Sequence, residues 1–337
     1  MIKTLLITDL HLRSLLPGYL DSQLRSIKRI YNREEPDRVI IMGDVFMNRR
    51  PSPTVLLAFD ELMRHMERSQ VHILRGNHDS ETKTDNGVTA LSLWNDWPNI
   101  TVYTQNEQRS LEGIGTVAFI PHYEDERKIA RFLDLVSEDT VVFGHFGHLG
   151  GFNSLGDNDF TLNLSDFSHS MYLGHIHTNS VRGNKIVLGT QYTTNFGESG
   201  QQKYYGVFED DKFTLKKWRG GPRYIALDYD YLDEIDINRY DYVLLRLFIS
   251  ATQDETFQRD VAELRAKHSN IRFVDIKYKS LLDTGGAISS FEPEKDIFEI
   301  DDDLIRQYVE EQCVDIPMDS LMEGYRKLKE EANAQIR

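Results

Sequence analysis

A chain of 337 residues is long enough for two or three domains and a large core. With 40% apolar and 28% charged residues, no run of about 18 apolar residues and one cysteine, Cys313, it offers neither a membrane span nor an internal disulfide framework. The formal net charge of −15 argues against tight non-specific DNA binding by the chain alone; it is unevenly placed, with 14 acidic and 6 basic residues in 287–337 and 40 and 33 in the rest.

The start, Met1-Ile2-Lys3-Thr4, leads straight into an apolar run, which leaves no room for a signal peptide and, with the lone cysteine, fits a reducing cytoplasm. Five short apolar runs follow one another: Leu5-Leu6-Ile7, Val39-Ile40-Ile41, Val71-His72-Ile73-Leu74, Val141-Val142-Phe143 and Met171-Tyr172-Leu173. Each reads as a buried strand. Each runs into a polar motif: Asp9-Leu10-His11, Gly43-Asp44, Gly76-Asn77-His78-Asp79, Gly144-His145 and Gly174-His175-Ile176-His177. Helices are expected at 20–33, 54–68 and 125–137, and further strands at 114–121, 185–190 and 204–218. The turn Trp218-Arg219-Gly220-Gly221-Pro222 marks a boundary. Beyond it, strand 242–249, helix 255–268 and strand 271–278 form a small α/β module. Residues 281–302 read as a Gly-, Ser- and acid-rich linker. Residues 303–337 read as two helices broken near Pro317, the second with a stripe of Leu321, Tyr325, Leu328 and Ala332.

Ligands at strand ends converge on one sheet edge, where open α/β folds place their sites. Asp-x-His puts two ligands on one side of a strand, because side chains repeat every two residues, and His175-Ile176-His177 does the same. Carboxylates, imidazoles and one amide suit Mn²⁺, Fe²⁺ or Zn²⁺ better than Ca²⁺. Asp44 is the natural bridge, with one oxygen for each of two metals. Such a pair holds and activates a water and clamps a phosphate. His78 would stand beside the metals as the catalytic residue, protonating the leaving group or stabilising the transition state, with Asp79 holding its ring in the working tautomer. Arg50, with its neighbour Arg49, and His122 and His148 are candidate substrate contacts. The bland readings are a solvated turn for the arginines and loop residues for the histidines.

This motif set resembles the calcineurin-like metallophosphoesterase superfamily, and within it the SbcD-type nuclease subunits of DNA-break repair complexes, including the shorter bacteriophage recombination endonuclease subunits. Thr8-Asp9-Leu10-His11-Leu12, Gly43-Asp44-Val45-Phe46 with Arg50-Pro51, the terminal Asp79, Leu188-Gly189-Thr190 and Asn195-Phe196-Gly197-Glu198 carry the likeness, over residues 1 to about 220. The resemblance implies a four-layer α/β/β/α phosphoesterase domain (1–222), a small α/β capping domain that contacts DNA (223–286), and an acidic linker with C-terminal helices (287–337) that bind an SbcC-type ATPase through 303–337. It implies two divalent ions, Mn²⁺ with Mg²⁺ as the other option. The first would be held by Asp9, His11, Asp44 and His177, the second by Asp44, Asn77, His145 and His175. It further implies exonuclease action on duplex ends, endonuclease action on single strands, a homodimer through helices near 54–66, and a cytoplasmic site of action, the host's if the chain is phage-encoded. Met47 stands where these nucleases often carry a second histidine. Two rival readings keep part of this: a phosphodiesterase acting on small diesters or phosphoproteins, and a DNA-end-bridging scaffold with weak nuclease activity.

Overall fold

The computed structural model describes residues 2–83, 87–151, 160–210, 212–234, 236–249 and 254–278. The chain divides into two units, Met1–Phe291 and Glu292–Arg337, and all described residues belong to the first. The linker and C-terminal helices expected beyond residue 280 therefore lie outside the described residues.

In chain order the first half runs β1 (Thr4–Ile7), α1 (Tyr19–Glu34), β2 (Arg38–Met42), α2 (Pro53–His65), β3 (Gln70–Leu74), β4 (Ile100–Tyr103), β5 (Glu107–Leu111), β6 (Gly115–Ile120) and α3 (Glu126–Leu135). The second half runs β7 (Val141–His145), β8 (Met171–Gly174), β9 (Ser180–Arg182), β10 (Lys185–Val187), β11 (Lys203–Glu209), β12 (Lys212–Trp218), β13 (Pro222–Asp228), β14 (Tyr242–Ile249), α4 (Asp254–Lys267) and β15 (Ile271–Tyr278). Two six-stranded sheets form, in the orders β12-β11-β1-β2-β3-β4 and β5-β6-β7-β8-β10-β9. Strands β1 to β4 are mutually parallel, as are β6, β7, β8 and β10, so their carboxyl ends share an edge within each sheet.

Period-two alternation builds the layers. Leu5, Ile7, Val39, Ile41, Val71 and Ile73 face Leu24, Ile27 and Ile30 of α1 and Phe59, Leu62 and Met63 of α2. Their strand neighbours Leu6, Ile40, Met42 and Leu74 point the other way, into a core shared with Val117, Phe119, Phe143 and Tyr172 of the second sheet. Ala118, Ile120, Val142, Met171 and Leu173 meet Ile129 and Leu133 of α3. The order helix, sheet, sheet, helix is the four-layer sandwich. The caps are local: Ser52 Oγ accepts from Val55 N at 3.4 Å with Pro53 at the first helical position of α2, and Asp125 accepts from Arg127 N at 3.2 Å ahead of α3.

Strands β13, β14 and β15 form a separate parallel sheet. One face packs Ile225, Val243, Leu245 and Leu247 against Val261 and Leu264 of α4. From the opposite face Tyr224, Tyr242 and Leu244 dock on Tyr19 and Phe196. The sequence pattern indicated strand, helix, strand here; β13 is an addition, and its polar start, Pro222-Arg223, hid it. Among the described residues no helix is long and apolar enough to cross a membrane.

Within the inter-sheet core His72 stacks on Tyr103 and Phe119, at ring separations of 5.9 and 5.3 Å, and its Nδ1 lies 2.9 Å from the Tyr103 hydroxyl. Burial, with Arg38 and Arg109 nearby, lowers this imidazole from 6.5 to about 4. The unfolded chain therefore binds a proton at His72 that the folded one refuses, and stability rises with pH between about 4 and 6.5. In His72→Phe, which keeps the stack, denaturant titrations across that window will show a shallower loss of stability on acidification; an unchanged slope removes His72 as its source.

Candidate metal centre

The five motifs begin where β1, β2, β3, β7 and β8 end, so three come from one sheet and two from the other. The loops after β1 and β2 continue pairing past their strands. Asp9 N donates to Gly43 O at 3.0 Å, His11 N to Asp44 O at 2.9 Å and Leu12 N to Val45 O at 2.9 Å. Along this zipper the backbone turns left-handed at Asp9 (φ 50°), His11 (φ 42°) and Asp44 (φ 49°), and again at His175 (φ 77°) in the loop after β8. Asp9 and His11 thus converge by loop conformation, which corrects the expectation that strand alternation aligns them. Non-glycine residues take this region at a cost of about 1–3 kcal/mol each, and do so mainly at functional sites. Gly76 lets the chain pass close: a Cβ there would lie 2.0 Å from Asp44 Oδ1 and 2.3 Å from Asp44 N.

Three sets of side chains bring one donor atom each to within 4.8 Å of the others: Asp9, His11 and His177; His11, Asp44 and His78; Asp44, His145 and His175. Asp44 turns Oδ2 to His11 Nε2 at 3.6 Å and Oδ1 to His145 Nε2 at 3.3 Å, one oxygen to each side. His11 Nε2 lies 3.0 Å from His177 Nε2, and Asp9 Oδ1 lies 3.9 and 3.8 Å from the two. Asn77 Oδ1 sits 3.2 Å from His145 Nε2 and 3.1 Å from His175 Nδ1.

The outward ring nitrogens decide which inward ones carry lone pairs. His145 Nδ1–H donates to the Met42 carbonyl at 2.6 Å and His177 Nδ1–H to Glu198 Oε1 at 2.8 Å, so in its neutral, metal-binding form each ring turns a bare Nε2 inward. Carboxylate oxygens, imidazole lone pairs and an amide oxygen therefore face one another in a buried space. Turning the Asn77 amide over would give its own neighbours a donor; His11 can donate from Nε2 to His177 at 3.0 Å only with its buried Nδ1 bare and unpartnered. A divalent cation on each side would satisfy the whole set, and the mix of oxygen and imidazole ligands fits such an ion.

The same crowding splits the titrations. Burial holds His11 well below its usual value against the pull of Asp44, and burial with His145 and His122 lowers His175. In His145 the carboxylates of Asp44 and Asp9 outweigh burial and raise the ring to about 9; in His177, Glu198 and Asp9 do the same. Burial pushes the Asp44 carboxyl up, yet His145, His78 and His11 pull it well below the usual range.

All seven expected ligands are brought together. The half-buried His78 lies beside them, its ring 4.9 Å from that of His11 and its Nδ1 2.7 Å from the Met47 carbonyl. That carbonyl, not Asp79, orients the ring. Asp79 accepts from the backbone N–H groups of Val45 (3.2 Å), Phe46 (3.0 Å) and Gly76 (2.9 Å), so it braces the loops that carry Asp44 and Asn77. Burial and the Asp44 charge raise its carboxyl to about 6. His122 stands with its ring 5.5 Å from that of His175 and lines, with Phe160 and His175, a cavity of about 420 Å³. Buried His148 turns Nδ1 to the Leu149 carbonyl at 3.0 Å and belongs to none of the three sets. Arg50 is exposed, while Arg49 ties its loop to the carbonyls of Ser80 and Thr82.

Sequence reasoning missed the part of Glu198. Fully buried, it accepts from His177 and from Lys203 Nζ at 2.6 Å, Thr190 Oγ1 at 3.2 Å and Asn195 Nδ2 at 3.0 Å. Burial raises its carboxyl, but Lys203 and His177 more than reverse that and hold it far below the usual range. Its motif was visible; its partner, 21 residues upstream, was not.

A family model described as calcineurin-like phosphoesterase matches residues 2–179. The SbcD subunit of the nuclease SbcCD of Staphylococcus epidermidis is 22% identical over 244 residues, 60% of this chain and 64% of that protein, so the chain spans a little under two thirds of that relative. Among solved structures, nuclease MPE of Pseudomonas putida is 16% identical over 63% of this chain and 87% of its own, with a TM-score of 0.33. A dimetal phosphatase from Danio rerio is 14% identical over 65% and 96%, with a TM-score of 0.39.

Replacing Glu198 by Gln keeps the shape but removes the charge that holds His177 and leaves Lys203 buried without its ion. Mn²⁺ uptake measured by calorimetry will weaken by about 10- to 100-fold, and the melting temperature will fall. Wild-type affinity in this variant would mean that His177 needs no such partner.

Proposed function

This chain belongs to the calcineurin-like phosphoesterase family, and we propose that it is a dinuclear, metal-dependent DNA nuclease acting in break repair and recombination. The observation that carries the reading is the convergence of seven inward-facing ligand groups from two sheets on the shared carboxylate of Asp44. Sequence similarity to an SbcD subunit favours DNA over small diesters as substrate.

Asp9, His11, Asp44 and His177 would hold one ion and Asp44, Asn77, His145 and His175 the other, Mn²⁺ by preference and Mg²⁺ as the alternative. When bound, such a pair supplies positive charge to phosphate oxygens and lowers the pKa of water. The protein's own contribution starts with rigidity: Glu198, the Met42 carbonyl and the Asp79 bridge fix the ligands before substrate arrives. His78 is the residue for proton transfer. Its Nδ1–H is spent on Met47 O, which leaves Nε2 open, and its ring is half-buried where most of its neighbours are buried. From there it donates a proton to the leaving oxygen or stabilises charge growing on it. Because a backbone carbonyl orients that ring, Met47 performs this task whatever its side chain. His122, on the wall beside His175, would contact the substrate strand; Arg50 and His148 have no comparable support from their surroundings.

Exonuclease action on duplex ends and endonuclease action on single strands would be gated by an SbcC-type ATPase bound through 303–337, in the cytoplasm and as a homodimer. The module β13–β15 with α4, residues 223–286, would serve as the DNA-contacting cap.

On end-labelled duplex DNA, His78→Ala will lower Mn²⁺-dependent cleavage by about 10²- to 10⁴-fold while retaining two ions per chain by metal analysis. Asp44→Asn will lose activity and ions together. Full cleavage by His78→Ala would remove His78 from the chemistry. Ending the chain at residue 280 will spare hydrolysis of a small phosphodiester but abolish co-elution with an SbcC-type ATPase; retained co-elution would place the partner surface elsewhere.

A further inference from the structure

Away from the ligand cluster, a cavity of about 580 Å³ opens where α1, the end of β12 and the cap meet. Its size is that of a ligand site, but its lining is ionic. Arg29, Arg33, Lys217, Arg219 and Arg239 surround it, with Asp241 as the one acidic lining residue. The imbalance is opposite to that of the chain, which has 54 acidic and 39 basic residues. It shares no residue with the metal centre.

The cations come from three elements. Arg25, Arg29 and Arg33 recur every fourth residue along α1 and so form one stripe; like charges at that spacing destabilise a helix by a few tenths of a kcal/mol. Asp241 neutralises one end of the stripe, 3.9 Å from Arg25 Nε and 3.4 Å from Arg29 Nη1. Arg239 is held by Asp236 at 2.9 Å. Arg33, Lys217 and Arg219 are exposed and have no carboxylate partner among the described residues; Arg33 stacks 5.0 Å from the Trp218 ring and donates to the Tyr205 hydroxyl, which hold its guanidinium in place with further N–H groups to spare. Guanidinium groups held in place with free N–H donors are what an oxyanion binds in bidentate fashion.

We propose that this cavity is a phosphate-binding site that grips the backbone of the DNA duplex outside the metal centre, at the junction of cap and phosphoesterase domain. The inference rests on the nuclease reading above. Phosphate contacts carry affinity and register without reading sequence, and the cations at this junction, three of them without a carboxylate partner among the described residues, would supply them in a chain whose total charge repels DNA.

The test is the salt dependence of full-length protein binding to a fluorescein-labelled duplex, by anisotropy, with Ca²⁺ replacing Mn²⁺ to suppress cleavage. Each lost phosphate contact lowers the log–log slope by about 0.9. Lys217→Gln/Arg219→Gln should therefore lose about 1.8 and weaken binding by roughly tens of fold at 0.1 M salt, with Mn²⁺-dependent turnover of bis-p-nitrophenyl phosphate unchanged. Lys217→Arg/Arg219→Lys should restore the slope, and Arg29→Gln, on the opposite wall, should lower it independently. An unchanged slope in the neutralised variants overturns the site and leaves the nuclease reading standing. So does an equal drop in Arg64→Gln/Lys212→Gln, exposed cations elsewhere, because that is bulk charge alone. No duplex binding by the wild type overturns the site and the DNA reading together, while turnover of the small diester keeps the metal centre.

Discussion

The structure is organised around lone pairs that face one another out of water. Carboxylate, imidazole and amide acceptors buried together repel unless something positive lies between them. Several of the groups are therefore held by hydrogen bonds from the surrounding loops, while the buried His11 Nδ1 has no such partner among the described residues. His175 N donates to Asp9 at 3.1 and 3.3 Å, and His78 N donates to Asp44 Oδ1 at 2.9 Å. The rings of His145 and His177 are fixed by a carbonyl and a carboxylate. The Glu198–Lys203 pair behind His177 is itself fully buried, a costly arrangement that holds only because Thr190, Thr194 and Asn195 supply further hydrogen bonds.

This arrangement needs both sheets. Asp9, His11, Asp44, Asn77 and His78 follow strands of the first sheet, whereas His145 ends a strand of the second and His175 and His177 follow another. The aromatic core of Phe119, Phe143 and Tyr172 sets the spacing between them, and the glycines keep it short: a Cβ on Gly174 would meet Thr8 Oγ1 at 2.1 Å and the Met42 carbonyl at 2.5 Å. The β13–β15 sheet is tied into the same region. Tyr224 N donates to Thr193 Oγ1 at 2.7 Å and Ala226 N to Ser199 Oγ at 2.8 Å, on either side of Glu198; Arg13 joins Thr194 O at 2.8 Å to the Tyr224 hydroxyl at 2.6 Å. Strand β13 and the loop that steadies His177 are thus one hydrogen-bonded assembly.

Much of this was legible in the sequence because buried parallel strands read as unbroken apolar runs, and each run here ends in a residue type that binds metal. The strands that escaped notice lack that signature. Strand β5, Glu107–Leu111, is polar and lies at a sheet edge; β9, Ser180–Arg182, is three residues long. Local rules failed at the site for a different reason. Strand alternation aligned Asp9 with His11 on paper, yet the strand stops at Ile7 and left-handed backbone does the aligning. Adjacency suggested that Asp79 serves His78, yet its carboxylate folds back onto N–H groups more than 30 residues away in the chain. Partners chosen by loops at such distances carry no periodicity to read.

The total charge says little about any one surface, because a sum over the sequence ignores where charges go. Asp9, Asp44, Asp79, Glu198 and Glu34 are buried, each facing histidines, lysines or backbone N–H groups, so none of them adds a free negative charge to the surface. Residues 287–337 carry a further excess of acids in a separate stretch of chain. What remains on the outside of the described residues is more mixed than −15 suggests, and it is locally basic where α1, the end of β12 and the segment before β14 meet. Electrostatic attraction to a polyanion depends on the nearest charges, since others are screened beyond about 10 Å at 0.1 M salt. An acidic chain and a locally cationic surface are therefore compatible properties of one molecule.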